Sequence, residues 1–262
     1  MPTDVALVTG ASSGIGAALA RRIAREGRNL MLVARRIDRL ETLAGELKAA
    51  HGIDAHAVST DLTRPGAVVA LIGEMDRRGL TVDWLVNNAG FGTNGRFDQL
   101  PVEGELEEIR LNVEVLVELT GRLVPGMVSR RRGAVINIAS VGGFVSSPYM
   151  ATYSATKAFV LSFTEAIAAE LRGTGVQALC VCPGFTHTEF HERAHMDLSG
   201  FAVPEFAWMT AEQVADQTVR AVGKGPILVN GVMNSAMVAA LRLVPRAVLS
   251  RITASLLRPR EA

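Results

Sequence analysis

The chain is poor in the features that commit a sequence to a special environment. Its two cysteines, Cys180 and Cys182, are too few for a disulfide framework. Their i, i+2 spacing in an apolar run reads as two small buried residues, not a bridge or a metal pair. Lys+Arg and Asp+Glu nearly cancel at 27 and 26, so there is no one-signed footprint for nucleic acid. No uncharged apolar run reaches the ~18 residues of a membrane span. The opening Met-Pro-Thr-Asp lacks the basic and apolar regions of a signal peptide. A cytoplasmic location is expected. Linkers, low-complexity tracts and repeats longer than a βα unit are also missing, so residues 1–262 read as one domain, a normal size for an α/β fold.

What the chain does have is core-forming material, 48% hydrophobic. Short apolar runs at 4–9, 29–34, 54–59, 83–86, 133–139, 176–182 and 226–230 are predicted strands. Helical periodicity fills the intervals 14–26, 37–50, 65–78, 101–130, 151–171 and 211–222, with a break expected near Pro125. This alternation predicts a doubly wound α/β fold of the Rossmann kind: a central parallel sheet of about seven strands with helices on both faces.

Two local patterns carry chemistry. The first is Thr9-Gly10-Ala11-Ser12-Ser13-Gly14-Ile15-Gly16, set between the first strand and the first helix. Glycines there permit a tight turn and close backbone approach, and the helix start offers free N–H groups and a positive dipole end to a pyrophosphate. The second is Tyr153-Ser154-Ala155-Thr156-Lys157. Its phenol and ammonium, four residues apart, share one helical face. An ammonium beside a phenol is expected to lower its pKa from ~10 toward the working range of a general acid–base catalyst. Taken alone, the tyrosine could pack while the lysine snorkels to water.

The glycine loop, Asn87-Asn88-Ala89-Gly90, Asn112, Ser140, Tyr153-x3-Lys157 and Pro183-Gly184 together resemble the short-chain dehydrogenase/reductase family in order and spacing, over about residues 4 to 190. The resemblance implies a catalytic set of Asn112, Ser140, Tyr153 and Lys157. Ser140 and Tyr153 would hydrogen-bond the substrate oxygen, Tyr153 would supply the proton in reduction, and Lys157 would bind the nicotinamide ribose. Asn112 would anchor a water leading from Lys157 to solvent. The implied cofactor contacts are Gly10, Ser12, Ser13, Gly14, Ile15 and Gly16 in the loop, Asp61 and Leu62 after the third strand, and Asn88, Ala89 and Gly90 after the fourth. Tyr153, Lys157, Pro183, Gly184, Thr186 and Thr188 complete the set. Asp61 would meet the adenine amino group; its alternative role is an N-cap. Asn112 and Ser140 also have plain readings, as a locally bonded amide and a turn residue.

A Rossmann site for NAD carries an acid at the end of the second strand. Ala34-Arg35-Arg36 stands there instead, and two guanidiniums suit a 2′-phosphate, which predicts NADP(H). The alternative is a solvated basic helix start.

Past Pro183-Gly184, residues 185–212 are expected to form a substrate lid. Inside it His191-Glu192-Arg193-Ala194-His195 spells the zinc-protease H-E-x-x-H, with His187 on the same stripe and Glu212 as a conceivable further ligand. Its position in a lid argues for a solvated helix, so no metal is expected. Val141, Phe144, Val145, Met150, Phe185, Phe190, Phe201 and Trp208 are candidate pocket walls, which suits a small apolar carbonyl or alcohol. Residues 231–262 read as a helical extension. Interface or cover ranks above a membrane-surface helix, because the tail has arginines but no tryptophan. A homodimer or homotetramer is implied by the family. The expected activity is NADP(H)-dependent reduction of an apolar ketone or aldehyde, or oxidation of the matching alcohol. A 3-oxoacyl thioester reductase and a non-catalytic NADP(H)-binding regulator are the alternatives.

Overall fold

The computed structural model describes residues 3–190, 194, 207–241, 244, 249 and 253. Seven parallel strands form the central sheet in the order β3-β2-β1-β4-β5-β6-β9. They are β1 (Thr3–Thr9), β2 (Asn29–Ala34), β3 (Ala55–Ser59), β4 (Leu80–Asn87), β5 (Gly133–Ile138), β6 (Val176–Cys182) and β9 (Ile227–Val229). The helices between them are α1 (Gly14–Ala24), α2 (Ile37–His51), α3 (Ala67–Arg77), α4 (Val102–Ile109), α5 (Val115–Ser129), α6 (Ala151–Glu170) and α7 (Ala211–Ala221). A short parallel pair, β7 (Thr186–His187) with β8 (Met209–Thr210), stands apart from the sheet, and α8 (Val232–Leu241) follows β9.

The strands read as unbroken apolar runs because both faces are covered. Along β1, Ala6 and Val8 pack with α1, α2 and α7, while Val5 and Leu7 pack with α3 and α5. That is the period-2 alternation of a strand expressed as two separate cores. The strand order turns back between β1 and β4, and ligands of open α/β sheets bind at the carboxyl ends flanking such a switch.

Beyond shifts of one or two residues at element ends, the structure departs from expectation at β4, at Pro125 and before α5. β4 begins at Leu80, because Gly79 in the left-handed region already ends the turn after α3. Pro125 does not break α5, whose buried Val115, Leu116, Leu119 and Met127 hold the helix across the missing N–H. The irregularity comes earlier, as a single π-helical turn at Arg110–Glu114 between α4 and α5. Among the described residues no helix is long and apolar enough to cross a membrane. Arg242, Pro245, Arg246, Arg251 and Arg258, on which the membrane-surface reading of the tail rests, lie outside the described residues.

Candidate active site

The glycine loop turns where β1 ends. Gly10 and Gly14 take φ of +67° and +53°, which favours glycine. A Cβ on Gly10 would stand 2.7 Å from Asn88 Nδ2. Gly16 is equally crowded, by Asn88 and the Gly10 carbonyl, so it serves the packing of α1 on the loop. Asn88 Nδ2 donates to the Thr9 and Gly10 carbonyls at 2.9 and 3.3 Å, which ties the loop to the end of β4. Ser13 precedes α1 without a side-chain cap, and the first turn carries no acid. Its N–H groups are therefore available to an anion, and the loop fits the pyrophosphate of a dinucleotide.

Arg36 reaches back over this loop. Its Nε and Nη2 donate to Ser12 Oγ at 3.2 and 3.0 Å, and Nη2 also reaches Ser13 Oγ at 2.8 Å. Glu189, just past Thr188, accepts from Arg36 at 3.0 Å and from Arg39 at 2.5 Å. The two guanidiniums, Arg39 first, hold its carboxyl down to about 2. Arg35 is exposed and acts on Asp61 only through its charge. Asp61 is not an N-cap: α3 starts at Ala67 behind Gly66, and Asp61 accepts from the Thr63 N–H and hydroxyl.

At the other end of the crevice, Ser140 leads β5 into a 3-10 turn at Val141–Phe144 and accepts from Gly142 N at 3.0 Å. That turn packs tightly on α6, since a Cβ on Gly143 would lie 2.8 Å from the Lys157 carbonyl. Tyr153 is half-buried with its open side toward the cavity. Its ring packs on Phe190 at 5.3 Å between centroids. Lys157 is buried, donates to the Ile138 carbonyl at 2.9 Å, and lies over the tyrosine ring 5.6 Å from its centre.

These groups share one cavity of about 1470 Å³. Every predicted catalytic or cofactor residue lines it except Gly16 and Asn112. Asn112 sits behind the wall, in the π turn, where its amide exchanges bonds with Phe91 (3.2 Å accepted, 2.9 Å donated) and donates to Thr156 Oγ1 at 3.1 Å. Of the predicted substrate walls, Val141, Val145, Met150, Phe185 and Phe190 line the cavity. Phe144 packs instead with Val160 and the cysteines, and Trp208 stacks on His187 at 4.7 Å. Phe201, His191, Glu192, Arg193 and His195 lie outside the described residues.

One expectation is reversed. Burial pushes the Tyr153 phenol up to about 12, opposed by the facing Ser140 hydroxyl. Burial likewise pushes Lys157 down to about 8. Each group loses more by leaving water than it gains from its neighbour, because the ammonium lies over the ring face.

Glu108, Glu105, Glu189 and the α8 residues Met233, Met237 and Leu241 are site neighbours that the sequence reading passed over. The i−4 spacing of Glu108 from Asn112 was the available signal for the first.

A family model described as short chain dehydrogenase matches residues 4–198. A granaticin polyketide synthase putative ketoacyl reductase from Streptomyces violaceoruber is 37% identical over 211 residues, covering 80% of this chain and 75% of that protein. A 7beta-hydroxysteroid dehydrogenase from Collinsella aerofaciens is 32% identical over 229 residues, covering 87% and 86%. The solved structure of a short-chain dehydrogenase from Sphingobium yanoikuyae in complex with NADPH superposes with a TM-score of 0.81. It is 35% identical and covers 100% of this chain and 98% of that one. With a glycine loop, a Ser–Tyr–Lys cluster and one crevice between them, the chain belongs to the short-chain dehydrogenase family of nicotinamide-dependent oxidoreductases acting on CH–OH and C=O groups.

Proposed function

We propose that this protein is an NADP(H)-dependent reductase of a bulky apolar ketone or aldehyde, or the dehydrogenase of the matching alcohol. The observation that carries the reading is that Ser140 and Tyr153 line the same cavity as the glycine loop and Arg36. Bound there, the reduced nicotinamide supplies a hydride to the carbonyl carbon. Ser140 Oγ and Tyr153 Oη hold the carbonyl oxygen, and the phenol releases its proton to that oxygen as the alcohol forms. A phenol held up at about 12 is protonated at neutral pH, which is the state reduction needs. Lys157 orients the ribose, and Asn112 holds the backbone of the Gly90–Phe91 turn.

Arg36, already bonded to Ser12 and Ser13, supports the phosphorylated cofactor, as does the NADPH of the Sphingobium relative. Bulk and apolarity are supported by a broad wall of six apolar side chains, Val145, Met150, Phe185, Met233, Met237 and Leu241, at the substrate end of a cavity whose other end takes the cofactor. The α8 residues in that wall favour the tail as a cover on a single-domain chain. Exposed Val102, Leu106 and Ile109, at i, i+4 and i+7 on α4, support a homo-oligomer.

The test is a panel of bulky and small ketones with NADPH and NADH, followed by reduced-nicotinamide absorbance, for the wild type and Tyr153→Phe. Turnover of bulky ketones with NADPH is expected, with collapse in Tyr153→Phe at unchanged NADPH affinity. Unchanged turnover in that variant sinks the mechanism, and a preference for NADH sinks the cofactor reading.

A further inference from the structure

We propose that Glu108 is a positioning residue for this chemistry: its buried carboxylate is the counter-charge of Lys157, set against it across the Asn112 amide, and it keeps that ammonium protonated beside Tyr153. The reaction it serves rests on the reading above; the charge relationship does not.

Glu108 is 0% exposed, on the last turn of α4. Its Oε2 accepts from Thr93 N at 3.0 Å and Thr93 Oγ1 at 2.9 Å, and its Oε1 faces Asn112 Nδ2 at 3.5 Å. Beyond Asn112 the path is narrow. A Cβ on Gly90 would lie 2.8 Å from Asn112 Oδ1 and 3.5 Å from Lys157 Nζ. Amide oxygen and ammonium thus flank the space of one absent methyl group. Two buried ionisable groups of opposite sign, on either side of one amide, form the arrangement in which each lowers the cost of the other's charge.

The surrounding groups agree. Burial pushes Glu108 up to about 7; the Thr93 bonds and Lys157 pull against this, and Glu105 adds to it. Glu105, three residues earlier on α4, accepts from Thr152 through one oxygen, while the other has no partner. Facing Lys157 are Tyr153 from α6, the thiols of Cys180 and Cys182 from β6 and the Ile138 carbonyl, and Glu108 is the carboxyl whose charge favours its charged form. Nothing in the Ser–Tyr–Lys pattern itself requires an acid at this position.

The chain has three lysines, Lys48, Lys157 and Lys224, so each can be followed by NMR in full-length protein labelled with carbon-13 at the lysine side chain. Lys157→Arg identifies the Lys157 signal. In the wild type that signal should titrate well below the other two. In Glu108→Gln its midpoint should fall by about one further pH unit or more, the size expected for losing a nearby opposite charge, with Lys48 and Lys224 unmoved. Thr93→Val, at a half-buried loop position, removes one bond that favours the carboxylate. Glu108 is then less fully charged where Lys157 titrates, so the lysine midpoint should fall by a smaller amount; this variant carries the test if Glu108→Gln does not fold. A Lys157 midpoint unchanged in the folded variants overturns the proposal, as does a wild-type Lys157 that titrates with the other lysines. The measurement needs neither cofactor nor substrate. A Tyr153→Phe enzyme that stays active would therefore defeat the proposed function and leave the Glu108–Lys157 pairing standing.

Discussion

Lys157 Nζ lies over the face of the Tyr153 ring, 5.6 Å from its centre, and donates to the Ile138 carbonyl. Burial, which both groups share, pushes the lysine down to about 8, within reach of ordinary assays, and the phenol up to about 12, beyond them.

The alkaline fall of kcat/KM for ketone reduction, which reports the free enzyme, is accordingly expected from loss of the Lys157 proton. In Lys157→Arg, whose side chain stays charged, residual activity should persist to higher pH. If the fall keeps its midpoint in that variant, it belongs to another group.

On the proposed reading, Ser140→Ala removes one of two donors to the substrate oxygen while leaving the cofactor end of the cavity alone. A fall in kcat of about 10²-fold is expected, with KM for NADPH nearly unchanged. An equal rise in that KM would assign Ser140 to cofactor binding instead.

Arg36→Ala should weaken NADPH about 10- to 100-fold, as for a lost charge-assisted bond, and leave NADH binding unaltered. Calorimetric titration of both cofactors checks this. Arg35→Ala, at an exposed position, should have the smaller effect of the two.

Gly143→Ala would put a methyl group 2.8 Å from the Lys157 backbone carbonyl. The 3-10 turn must then lift from α6 and take Ser140 with it. A stability loss of about 1–3 kcal/mol is expected, together with reduced kcat, read by denaturant titration and turnover. Wild-type values for both would mean that the contact relaxes freely.

Glu108 should also leave a mark on stability. Its folded pKa, about 7, lies above its ordinary 4.5, so the native chain binds the extra proton in that interval. The stability this group contributes is full below pH ~4.5 and is lost as pH rises through about 7, on the order of 3 kcal/mol. Glu108→Gln should lack that slope. Denaturant unfolding at several pH values between the two limits compares them, and parallel curves would refute the assignment.

The sheet and both ends of the crevice were legible in the sequence for a physical reason. Strands covered on both faces must be apolar throughout, and a backbone that approaches an anion must be glycine. Asn112 was legible only through its place in a motif, since its surrounding residues look like ordinary helix and give no sign of the π turn. Glu108 was hidden for a different reason. Glu103, Glu105, Glu107 and Glu108 crowd one short helix, and a run of acids carries no local sign of burial. Two of the four are buried only because the 91–93 loop and α6, distant in sequence, fold over them. The Pro125 break failed similarly: a local rule gave way to packing along the whole length of α5. The Tyr153 pKa was misjudged because sequence spacing shows that two groups are neighbours, but not how much water each has given up.

The small β7–β8 pair gives residues 188–208 a common point of departure and return, at Thr186 beside Met209 and His187 beside Thr210. A chain closed at its base in this way is nearly indifferent to its own length, since doubling it costs only ~0.6 kcal/mol of closure entropy. The two anchors can thus keep their register whatever length of chain joins them, while Glu189 and Phe190, just inside the first anchor, stay committed to Arg36 and Tyr153.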